Sequence, residues 1–61
     1  MIFEKGILAA ITTSPRKVPS GIAVFHCDDE EELKLVSSNL EYILDGIAHE
    51  VTPDVFIIVK H

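Results

Sequence analysis

Two hydrophobic periods alternate along this chain. Apolar residues run almost unbroken through Gly6-Ile7-Leu8-Ala9-Ala10-Ile11-Thr12-Thr13 and again through Ile22-Ala23-Val24-Phe25-His26-Cys27. Short apolar runs bounded by turn chemistry predict buried strands. Between them lies Ser14-Pro15-Arg16-Lys17-Val18-Pro19-Ser20-Gly21. Proline lacks the N–H that a sheet ladder needs, so this stretch predicts a loop. After Cys27 the period changes. Leu33, Val36, Leu40, Ile43, Leu44 and Ile47 recur at steps of three and four, with Lys34, Ser37, Ser38, Glu41 and Asp45 mainly on the other side. That pattern predicts one amphipathic helix.

Its start is marked by five consecutive acids, Asp28 to Glu32. Asp28 with Glu31, or Asp29 with Glu32, has the spacing of a capping box, and carboxylates there favour the positive end of the helix dipole. Gly46 is placed to end the helix in a left-handed conformation. Ala48-His49-Glu50-Val51 is an optional short strand, Thr52-Pro53-Asp54 a turn, and Val55-Phe56-Ile57-Ile58-Val59 a strand rich in β-branched residues. The expected fold is α+β: a small β-β-α-β sheet, or β-β-α-β-β, with the helix on one face, as a single domain over residues 1–61. The segment from Ile22 to Val59 fits a right-handed parallel crossover, while the optional strand fits a hairpin with the last one. The sequence leaves both open.

Side chains alternate faces along a strand, so a sheet covered on one side should alternate apolar and polar. Here Val55, Ile57 and Val59 oppose Phe56 and Ile58, and Ile7, Ala9 and Ile11 oppose Leu8 and Ala10, with both sets apolar. One helix covers one face. The other is expected to meet another chain, unless the sheet curls on itself or Phe3 and the proline loop fold across it.

Size strengthens that expectation. A domain of 61 residues buries only about 60% of its unfolded surface, and small cores commonly lean on disulfides, metals or partners. The lone Cys27 excludes an internal disulfide and suits a reducing compartment. A net charge of −5 opposes nucleic-acid binding and adsorption to anionic lipid. A hydrophobic content of 48% is too high for a disordered tail. Met1-Ile2-Phe3-Glu4-Lys5 does not read as a leader, and no stretch reaches the roughly 18 apolar residues of a membrane span. A cytoplasmic protein, at a membrane only through a partner, is expected.

Candidate chemistry is sparse. His26, Cys27, His49 and His61 lack the paired spacing of a metal site, and the acidic run lacks the glycine and alternating oxygens of an EF-hand loop. His26 and Cys27, adjacent on a strand, point to opposite faces and cannot act as base and nucleophile. No phosphate cradle is present. We therefore expect no catalytic residue, cofactor or metal. Arg16 and Lys17 form the only adjacent basic pair and suit a phosphate or a partner carboxylate. Tyr42 and Leu35 fall off the helical stripe, where tyrosine would serve a contact.

The words Leu40-Glu41-Tyr42-Ile43-Leu44-Asp45-Gly46-Ile47-Ala48-His49-Glu50-Val51 and the ending Ile57-Ile58-Val59-Lys60-His61 resemble a family of small proteins from endospore-forming Firmicutes, the capping complex subunit for YIEGIA, an integral membrane protein of sporulation. The early strand ending in threonines, the lysine-containing loop and the acidic helix start agree with its layout. The resemblance implies a non-enzymatic accessory subunit that docks on a membrane protein and controls it. Asp45, His49, Lys60 and His61 match its distinctive words and join Arg16, Lys17 and Tyr42 as candidate partner contacts. The alternative is a homo-oligomeric module, a homodimer with its sheet faces packed together, in which Arg16 and Lys17 hold a small ligand or anion.

Overall fold

The computed structural model describes residues 6–18 and 21–60. Four strands and one α-helix follow in the order β1 (Ile7–Thr12), β2 (Ala23–His26), α1 (Glu30–Leu44), β3 (Gly46–Thr52) and β4 (Val55–Lys60), with a 3-10 turn at Pro15–Lys17. They form one mixed sheet in the order β2-β1-β4-β3. The optional strand is therefore real and longer than expected, and it makes the antiparallel hairpin with β4. β1 runs between them, antiparallel to β4 and parallel to β2. The crossover through α1 consequently joins the two edges of the sheet, β2 and β3, and β4 is not its parallel end.

The helix starts as its sequence dictates. Asp29 is the N-cap and its Oδ1 accepts the Glu32 N–H at 2.8 Å. Glu32 reaches back, its Oε1 accepting the Asp28 N–H at 2.7 Å. This satisfies two donors around the first turn, a cap worth about 1 kcal/mol. The end differs from expectation. Asp45, not Gly46, takes the left-handed conformation, at φ 56° and ψ 49°. Aspartate tolerates that region better than most side chains. Gly46 instead opens β3, where a Cβ would stand 2.8 Å from both Ile58 Cγ2 and the Val59 carbonyl oxygen. It is glycine because the hairpin backbone lies against it.

The core gathers Ala9, Ile11, Cys27, Leu33, Leu40 and Ile58, with Leu8, Val36, Leu44, Ala48 and Phe56 packed around them. α1 lies chiefly over β3, β4 and β1. Its contact arc is centred on Leu33, Ser37, Leu40 and Leu44, at 100° per residue. Two assignments change as a result. Ser37 is buried, and its small side chain sits in the middle of the packed arc. Ile43 falls to one side of the arc and is 68% exposed.

Register corrects the strand faces as well. A bulge shifts β1 between Ile7 and Ala9, so Ile7 pairs with Val59 while Leu8 joins Ala9 in the core. Toward the helix the sheet presents Leu8, Ala9, Ile11, Phe56 and Ile58. Away from it stand Ile7, Ala10, Thr12, Val24, His26, Ile47, His49, Val55, Ile57 and Val59, assigned from their pairing. α1 does not reach that second side, yet Ala10, Thr12 and Val55 are buried there, Thr12 beneath its hydrogen bonds with Ser14 and Asp54. Phe3, Pro19 and Ser20, which would supply a cover from within the chain, lie outside the described residues.

Candidate functional site: two apolar surfaces and a pinned loop

The open side of the sheet is nearly free of charge. Its rows read Ile7–Val59–Ile47, Val24–Ala10–Ile57–His49 and His26–Thr12–Val55–Thr52. Ala10, Thr12 and Val55 are buried in the middle of it, and the apolar exposure lies on its flanks. Val24 is 39% exposed and Ile47 42%. Val24 and His26 carry this side to the β2 edge of the sheet, and both are exposed.

The second surface is the outer side of α1. Leu35, Tyr42 and Ile43 project from it, with Tyr42 89% exposed. At 100° per residue these three and Asn39 share an arc opposite the core. Asp29, Glu31 and Glu32 border Leu35 around a shallow depression. Asp45 is exposed at the C-terminal end of the same helix, and Lys60 pairs with Gly46 immediately beyond it. Tyr42, Asp45 and Lys60 thus gather at one end of the fold.

The remaining candidates lie elsewhere. His49 is on β3 at the rim of the open sheet side, opposite Ile57. Arg16 and Lys17 sit in the 3-10 turn. His61 is outside the described residues. Sequence reasoning did not find Asp54, which organises the loop. Its carbonyl accepts from Thr12 Oγ1 at 2.6 Å and from the Thr13 N–H at 3.2 Å. Its carboxylate accepts from Lys17 Nζ and Thr52 Oγ1, each at 2.7 Å. Thr12 Oγ1 also accepts the Ser14 N–H. Lys17 therefore ties the loop to the hairpin turn, and Arg16 alone of the basic pair is unengaged in an ion pair among the described residues. Lysine and threonine donors hold the Asp54 carboxyl down at about 2. The only cue in the sequence was Thr52-Pro53-Asp54 as a turn, which carries no hint of a partner 37 residues away.

Cys27 is buried against the helix start while His26 faces outward, so the two diverge as strand geometry requires. Burial raises the thiol's pKa, and Glu32, Asp28 and Asp29 add to the rise. A neutral thiol in that setting is a packing residue. Among the described residues no three His, Cys, Asp or Glu side chains gather as a metal site. No described helix is long and apolar enough to cross a membrane.

A mixed four-stranded sheet, backed by one helix and leaving apolar side chains exposed on both outer surfaces, defines a small α+β fold. The chain belongs to the family described as the capping complex subunit for YIEGIA, whose model matches residues 4–61. It is 53% identical over 57 residues to the uncharacterized protein YpzH of Bacillus subtilis (strain 168), a match covering 93% of this chain and 89% of that one. No solved structure matches it.

Proposed function

We propose that this chain is a non-enzymatic accessory subunit that binds an integral membrane protein of YIEGIA type and controls it during sporulation. It acts by protein–protein contact from the cytoplasmic side and reaches the membrane through that partner. The observation that carries this reading is the outer face of α1. Leu35, Tyr42 and Ile43 are 61%, 89% and 68% exposed, and none serves the chain's own core. Tyrosine beside aliphatic side chains has the composition of an interface centre. Asp45 and Lys60 supply charged groups at its margin. The family description, a capping complex subunit, supports work within an assembly.

Co-expression of the tagged chain with a YIEGIA-type membrane protein, followed by capture from detergent extract, tests the reading. The expected result is co-purification that is lost in Tyr42→Ala/Ile43→Ser while circular dichroism stays unchanged. Failure of the native chain to retain the membrane protein would overturn it. Retention undiminished in the double variant would move the contact off this helix face.

A further inference from the structure

We infer that the β2 edge of the sheet is a self-association site, at which β2 of a second copy pairs antiparallel about Phe25 to make one continuous sheet. The inference does not rest on what docks on α1.

The direction of the backbone groups comes first. The Cys27 N–H donates to the Thr12 carbonyl at 2.9 Å, and β2 pairs with β1 in parallel, Phe25 opposite Ile11. Backbone groups of successive residues in a strand point to alternate edges. Ala23, Phe25 and Cys27 therefore turn their N–H and C=O toward β1, and Val24 and His26 turn theirs outward. Among the described residues nothing in the chain bonds to those outward groups.

The two edges of the sheet differ. At β3 the Glu41 carboxylate takes the Ala48 N–H at 2.9 Å. β2, Ala23-Val24-Phe25-His26, has no lysine, no proline and no bulge against β1, the devices that commonly blunt an edge. Phe25 is on the helix side of the sheet, yet α1 lies chiefly over β3, β4 and β1. Phe25 stays 40% exposed and outside the core cluster.

A second copy fits this edge in register, charge and shape. The outward groups of Val24 and His26 flank Phe25 symmetrically. A two-fold axis at Phe25 sets each Val24 opposite His26 of the other copy, and each such pair exchanges both its hydrogen bonds, as an isologous contact requires. The two Phe25 side chains then meet at the close, non-hydrogen-bonded position, a favoured aromatic pair. The acidic run 28–32 follows β2 directly, so a parallel mate would set like charges together, whereas the antiparallel one sets Asp28 opposite Ile22. At about 3.4 Å per residue the two Asp28 stand roughly 20 Å apart, beyond the Debye length of about 10 Å at 0.1 M salt. The helices do not collide either. With α1 centred near β4, strand spacings of about 4.8 Å separate the two helix axes by roughly 24 Å, against about 8–10 Å for packed helices. The Phe25 pair occupies the cleft between them.

An edge contact of four residues is small, so the dimer belongs to the weak class, with a Kd of about 10–100 μM. Sedimentation equilibrium of the full chain should give a mass that rises with concentration toward that of two chains by about 500 μM. Val24→Pro removes an outward N–H that β1 does not use, and is expected to weaken association by about 10-fold or more with an unchanged circular dichroism spectrum. If that variant fails to fold, Phe25→Lys sets like charges directly opposite and should be monomeric at the same concentration. Phe25→Cys stands against itself across the axis and should cross-link to a covalent dimer under diamide, whereas Ser38→Cys on the exposed side of α1 should stay single. A chain that stays monomeric at the highest concentration overturns the inference, including the case in which the edge serves a strand of another protein. So does a dimer that survives both strand variants, or one that cross-links no better through Phe25→Cys than through Ser38→Cys. Capture of the membrane protein by α1 is read separately and none of these results bears on it.

Discussion

Ile57 and Ile58 are neighbours on β4 and point to opposite sides of the sheet. Ile58 is completely buried under α1, against Ala9, Ile11, Leu33 and Leu40. Ile57 is half-buried on the side that α1 does not reach. The residue types on the two sides are the same, and what separates them is the cover alone. Hydrophobicity along a strand therefore does not by itself distinguish the side that the helix seals from the side that it does not reach. On the helix side β4 buries Ile58 completely; on the other it buries Val55 alone.

The largest test of that contrast is a pair of truncations. Ile58→Ala opens a cavity in the closed core and should cost about 2–5 kcal/mol in urea denaturation. Ile47→Ala removes a side chain already 42% exposed and should cost under about 1 kcal/mol in dilute solution. Equal losses at low concentration would erase the distinction between the sides.

A smaller effect sharpens the same contrast from the closed side. Gly46→Ala pushes a Cβ against Ile58 Cγ2 and the Val59 carbonyl, so β3 must move off β4. Overpacking of this kind costs about 1–3 kcal/mol, read as a lowered midpoint with unchanged slope in urea. Glycine at residue 21, where nothing crowds a Cβ but φ is +101°, is restricted by backbone conformation alone.

The smallest effect concerns the loop pinned beside the open side. Asp54 has a carboxyl held near 2, below its ordinary 3.8, by Lys17 and Thr52. A depressed folded-state value stabilises the fold fully above the ordinary value and ceases to do so as pH falls through about 2. Stability measured from pH 5 downward should decline across that window, and Asp54→Asn should flatten the decline. An unchanged profile in the variant would remove Asp54 from the pinning of the loop.

Much of the closed side was legible in the sequence. The three-four spacing from Leu33, the Asp29–Glu32 cap and the β-branched run at Val55 each express a local rule, and each formed where expected. That β4 is apolar on both sides was legible too, since alternation along it is a property of the strand itself. What stayed hidden depends on distant pairing. The β1 bulge that sends Leu8 into the core arises only against β4. The choice of Asp45 over Gly46 for the left-handed residue follows from Gly46 having to lie against Ile58 and Val59, a constraint invisible without the hairpin. Asp54 could not be found for the same reason, because its partners come from the loop and β1 as well as the hairpin. The candidate contacts were found as residue types, but nothing in their spacing separated Tyr42, Asp45 and Lys60, which gather, from Arg16, Lys17 and His49, which do not.

A side chain of the helix reaches the far edge of the sheet. Glu41 Oε2 accepts the Ala48 N–H at 2.9 Å, taking a donor of β3 that its hairpin partner does not use. A neighbour seeking to extend the sheet there must first displace a carboxylate. The opposite border, β2, has no such plug among the described side-chain hydrogen bonds. The carboxylate thus guards one exposed strand edge against edge-to-edge pairing, the standing hazard of a sheet whose strands are apolar on both sides.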